Sequence, residues 1–161
     1  YGCLIAAVSL IAFFSVPYAF LNGQGAAFTL GNIRAALSYQ EVLMRAQTYA
    51  FTVLGISELF HAIGMRNVEK SFFTNHPFSN KLMIAAFTVG IGLQVLVTEI
   101  PYFNAAFETV HLSFSEWMGL IFMSSMPLIA HEIMLLNPAF RLKKFHKSKE
   151  NKKKTAEPGK I

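Results

Sequence analysis

Glu58 stands near the middle of an apolar run, Tyr49 to Arg66, that is long enough to cross a bilayer. Insertion scales put the cost of an aspartate at that depth near ~2.5–3.5 kcal/mol, and other estimates run higher. A carboxylate kept at such a cost faces a protein interior, a water-filled path or a cation. The competing account is a neutral, protonated carboxyl bonded to a neighbouring helix, because desolvation disfavours the charged form. His61 lies three residues on, within reach of Glu58 on one helix face. Glu and His at this spacing occur in di-metal bundles, but those repeat the ligands on several helices and here one helix supplies the pair. His61 therefore reads as a helix contact or a proton-sharing group.

The remaining polar residues inside apolar runs have blander readings. Gln94 is expected to tie two helices together by a hydrogen bond worth about 0.6–2 kcal/mol. Glu99, beside Pro101, is expected to be solvated at the end of its run. His131 and Glu132 could pair with basic residues of the tail or with other parts of a larger protein. Met123, Met126 and Met134 read as packing, and Cys3 as a small apolar helix residue.

Four apolar runs have to position these groups: residues 3–20, 46–65, 82–100 and 117–136. Thr48, Gly55 and Ala62 recur every seven positions in the second run, a small-residue stripe that lets helices approach closely. Glu58 falls three residues beyond Gly55, so it is expected to point into a helix contact and not into lipid. Residues 22–44 read as a loop, with turn chemistry at Asn22-Gly23-Gln24-Gly25 and room for a short interfacial helix at Ile33–Leu37. Pro101 closes the third run, and Trp117 opens the fourth as an interfacial residue. The expected fold class is therefore an all-α membrane protein: a four-span transmembrane region over residues 1–136, then a basic tail over 137–161.

Composition supports that class. The 161 residues are 53% hydrophobic and 14% charged, where a soluble domain carries about 25% charged residues. One cysteine excludes an internal disulfide framework. The first residue is Tyr1 and no basic segment precedes the first run, so a piece of a longer protein is expected and a secretory signal is not. The isoelectric point near 9.4 reflects crowding of basic residues at one end, which bears on orientation and not on nucleic acid. Nine Lys and Arg lie from Arg141 onward and three more at Arg66, Lys70 and Lys81; Arg34 and Arg45 alone lie on the other side. The positive-inside rule then places the tail, the Arg66–Lys81 loop and both termini in the cytoplasm. The tail can also touch anionic lipid, at about 1 kcal/mol per residue near the surface.

Arg45-Ala46-Gln47-Thr48-Tyr49-Ala50-Phe51-Thr52-Val53-Leu54 resembles the opening of the eighth membrane helix of P-type cation-transporting ATPases of the calcium-pump type. The resemblance continues through Glu58-Leu59-Phe60-His61-Ala62, Met65-Arg66, Ser71-Phe72, Phe78-Ser79-Asn80-Lys81, Gln94-Val95-Leu96-Val97, Ile100-Pro101 and Leu112-Ser113-Phe114-Ser115-Glu116-Trp117. Ile129-Ala130-His131-Glu132-Ile133 is similar to the family's last helix, which more usually carries an acidic pair there. The resemblance implies that the chain is the seventh to tenth membrane helices of a pump lodged in the plasma membrane of a bacterium. It implies that Glu58 contributes oxygen to a calcium site, in the manner of two-site members. Ca2+ would be the transported ion, with ATP and Mg2+ handled by cytoplasmic domains, and the partners would be the N-terminal part of the pump and the lipid bilayer.

Calcium takes six to eight oxygens, so a single glutamate cannot hold it. The chain has neither the phosphorylated Asp-Lys-Thr-Gly motif nor a Walker-type glycine loop, and alone it should neither hydrolyse ATP nor pump. The alternative function is a free-standing four-helix membrane scaffold or assembly subunit, in which Glu58→Gln would leave transport untouched.

Overall fold

The computed structural model describes residues 1–65 and 81–136. Every regular element among them is an α-helix, seven in order: α1 Gly2–Gly23, α2 Leu30–Leu37, α3 Gln40–Met65, α4 Lys81–Glu99, α5 Pro101–Phe107, α6 Phe114–Ser124 and α7 Met126–Leu136. Most of the Arg66–Lys81 loop and the whole basic tail, on which the orientation expectation rests, lie outside the described residues.

α3 is the hub, packed against α1, α4, α6 and α7. Along α1 it buries Val53 against Val8 and Ala12, and Ala46 and Val42 against Val16. The Ser9 hydroxyl donates to the Ala50 carbonyl at 2.9 Å across the same interface, so a small polar residue ties two closely set backbones. α1 and α4 are the two described helices that are both long and apolar enough to cross a membrane. α3, at 26 residues, is long enough, at about 39 Å. Its hydropathy is lowered chiefly by Glu41, Arg45, Gln47, Glu58 and His61, while Thr48, Thr52 and Ser57 are fully buried.

Two expectations from sequence need correcting. Residues 22–44 are not one loop. α1 runs on to Gly23 and closes through Gly25, whose φ of +67° suits a residue without Cβ. α2 then forms behind the Thr29 cap, whose side chain accepts from the Asn32 amide at 3.3 Å, and α3 starts at Gln40, ahead of the expected residue 46. The last apolar run is not one helix either. Pro127 has no N–H to bond the carbonyl four residues back, and the run divides at Ser125 into α6 and α7. The Ser57 hydroxyl donates to the Ser124 carbonyl at 3.2 Å, giving a partner to backbone at the break.

Candidate functional site

α3 carries the candidate site because its neighbours cover it incompletely. Thr52, Val53, Ile56 and Ser57 are buried, whereas Gln47, Phe51, Leu54, Glu58 and Ala62 are exposed. At 3.6 residues per turn these five fall within an arc of about 80°, one continuous open stripe. Glu58 sits inside that stripe. The expected stripe of Thr48, Gly55 and Ala62 runs along its border and divides. Thr48 is buried, accepting from the Val110 amide at 3.0 Å, and Gly55 faces Gln94, but Ala62 is exposed. Among the described residues Glu58 is exposed, whereas Gly55, to one side of it, faces Gln94 of α4.

Beside the open stripe lies a polar seam between α3 and α4. Gln94 is buried and donates its amide to the Thr52 hydroxyl at 3.1 Å, the interhelical tie its position suggests. A Cβ built on Gly55 would come within 2.9 Å of the Gln94 Oε1, and one on Gly90 within 2.7 Å of Leu59 Cδ2. The two helices therefore approach through glycines on both sides of the contact.

At the end of the bundle where α3 begins, a second set of polar groups links three helices. Glu116 Oε1 accepts from Arg45 and, at 2.6 Å, from the Tyr49 hydroxyl. Its Oε2 accepts from the Ser113 amide and hydroxyl at 2.7 Å each, closing a capping box on α6. Burial pushes the Glu116 carboxyl up, but hydrogen bonds from Tyr49, Ser113 and Arg45 outweigh it and hold the group down at about 2. Glu99 is not merely solvated, as its position at the end of a span suggests. Trp117 Nε1 donates to it at 2.8 Å and His111 Nδ1 faces its other oxygen, so it anchors α6 to the end of α4. The Arg45–Tyr49–Glu116 cluster was missed from sequence; the Ser113-x-x-Glu116 spacing of a capping box was the legible signal.

At the opposite end, His61 and His131 are brought together by Tyr1. The Tyr1 ring lies 4.9 Å from that of His61, and its hydroxyl is 2.8 Å from Nδ1 of the buried His131. Among the described residues no three His, Cys, Asp or Glu side chains gather closely enough to hold a metal ion. Glu58 has oxygen to offer a cation, but one carboxyl is far from the six to eight oxygens that calcium takes.

Comparison with known proteins identifies the chain's family. Residues 1–136 match the family described as cation transporting ATPase, C-terminus. The chain belongs to this family. It is 32% identical over 135 residues to calcium-transporting ATPase 1 of Bacillus cereus, an alignment covering 84% of this chain and 15% of that protein. It is 37% identical over 87 residues to a calcium-transporting ATPase of Bacillus subtilis, covering 54% and 10%. With calcium-transporting ATPase 2, endoplasmic reticulum-type, of Arabidopsis thaliana it shares 28% over 123 residues, covering 76% and 10%. The chain thus corresponds to a C-terminal region of a P-type calcium ATPase and spans a small part of the length of these relatives.

Proposed function

We propose that this cation-transporting ATPase C-terminal region is the last four membrane passes of a calcium pump, with Glu58 as one oxygen ligand in its ion path. The passes are α1, α3, α4 and the broken α6–α7 pair, with both ends on the cytoplasmic side. What carries the reading is the open stripe on α3: the helix that packs against most of the bundle leaves one face bare, and that face holds the carboxylate. In the complete pump, helices contributed by the rest of the protein would cover this stripe and bring the remaining oxygens. ATP and Mg2+ would act in other domains of the pump, and this region would supply ligand and scaffold.

The test is calcium transport by the intact pump. Glu58→Gln keeps the size and one oxygen but replaces the other with an amide donor and removes the charge; calcium-dependent ATPase activity or the number of calcium ions carried per cycle should fall. Unchanged calcium affinity and stoichiometry would rule out the ligand role and favour the scaffold reading.

A further inference from the structure

The connection between α1 and α3 is built as if for a lipid boundary. α2 has eight residues and spans about 12 Å, far short of a hydrocarbon core of about 30 Å, so it cannot cross. α1 and α3 lie side by side, so α2 must bridge two neighbouring passes at a single face of the bundle. Its inner side is settled: Ala36 is fully buried and Leu37 packs against Val16 and Val42. Its outer side carries Leu30, 87% exposed, with Arg34 next to it one turn on. Exposed aromatic rings flank α2 in sequence and on α1: Tyr18 set edge-on to Phe28 at 5.6 Å, and Tyr39, which lies beside the half-buried Phe20 at 5.5 Å.

Several polar groups of this segment are paired locally. The Ala26 amide donates to the Leu21 carbonyl at 3.0 Å, and Asn32 Nδ2 and the Thr29 amide both donate to the Ala27 carbonyl, at 2.8 and 2.9 Å. Each such pair lowers the cost of bringing this stretch to the edge of the hydrocarbon. From residue 22 to residue 40 there is no acidic side chain, and Arg34 is the single base. Apolar side chains, amphipathic rings and one guanidinium on a short surface helix match the boundary between acyl chains and phosphates.

We infer that α2 lies in the headgroup region of the bilayer leaflet opposite the basic tail, with Leu30 inserted among the acyl chains and Arg34 on a lipid phosphate. This rests on the membrane-spanning reading above. Arg34 can stay on the phosphate while Leu30 dips below it, because a long basic side chain reaches back toward the headgroups.

The experiment uses the intact pump, freed of other reactive cysteines, in phosphatidylcholine–phosphatidylglycerol vesicles. A nitrobenzoxadiazole label is placed by Leu30→Cys or, as a reference, by Leu93→Cys on the exposed side of α4. At position 30 the label should lose most of its emission to lipid brominated about 5–10 Å below the headgroups and little to aqueous iodide. Strong quenching by iodide without quenching by brominated lipid would overturn the inference, because Leu30 would then face water. Shielding from both would overturn it too, because the rest of the pump or a second copy would be covering α2. If the label at position 93 is also open to iodide, the membrane-spanning reading itself fails; if it is shielded and the label at 30 is not, only the placement of α2 fails. Phe28→Cys gives the same reading should Leu30→Cys prevent assembly.

Discussion

Glu116 shows how one acid can tie two helices together at the end of a bundle. It caps α6 through Ser113 and accepts from Arg45 and Tyr49 of α3. Its folded carboxyl sits at about 2, below the ordinary 4.5. A depressed carboxyl adds stability above its unfolded value and loses it as pH falls through the folded one. The contribution should therefore be complete above about pH 4.5 and fade between there and about pH 2. Glu116→Gln should lower the stability of the pump at neutral pH by on the order of 1 kcal/mol, from a weakened cap and a lost ion pair at a partly exposed site. It should also flatten the acid slope. Thermal unfolding followed from pH 6 down to pH 3 checks both; a variant with the parent's acid slope would show that the cluster does not set it.

At the scale of elements, the α3–α4 seam depends on what is missing from two glycines. A Cβ on Gly55 would come within 2.9 Å of the Gln94 side-chain oxygen, whereas one on Gly92, in α4 like Gln94, would meet nothing within 4 Å. Gly55→Val should push α4 away, strain the Gln94–Thr52 bond and cost about 1–3 kcal/mol, as overpacking does. Gly92→Val should be tolerated. Thermal stability of the two variants decides it, and equal effects would mean that close approach at Gly55 is not what the seam needs. Much of this seam was legible in the sequence, because polar and small residues in apolar runs have few places to go: Gln94 and Gly55 sit at the contact their spacing indicates. Glu58 was legible as an exception and not as an environment, since none of the described helices buries it. The break at Ser125 was hidden because Pro127 sits inside an unbroken apolar run, and hydropathy is blind to a missing N–H. α2 was half legible: Ile33–Leu37 suggested a short helix, but the Thr29 cap that starts it at Leu30 depends on a local hydrogen bond. Glu99 was misjudged because its partners, Trp117 and His111, lie across a turn that spacing along one helix does not reveal.

For the whole molecule, the uneven covering of its helices sets an expectation. α3 is closely packed on most sides, but α4 is largely bare, with Leu82, Val89 and Leu93 well exposed, and the open stripe of α3 adds Phe51 and Leu54 beside a carboxylate. Lipid can cover the apolar side chains of α4 at no cost. It cannot serve Glu58, because a carboxyl among acyl chains needs a polar partner. Helix faces in a membrane gain no hydrophobic drive toward one another, so what selects a partner for α3 is packing and polar contact around this acid. The 161-residue chain expressed alone should therefore associate with itself through α3 or lose fixed packing. Expressed together with the preceding part of the pump, it should assemble one to one. Cross-linking from Leu54→Cys, on the same stripe, distinguishes the cases: copies should cross-link to each other in the isolated chain, and this should disappear on co-expression. An isolated chain that stays single, unfolds cooperatively and keeps position 54 open to lipid would mean that the stripe meets acyl chains in the native assembly, and Glu58 would then lie outside any ion path.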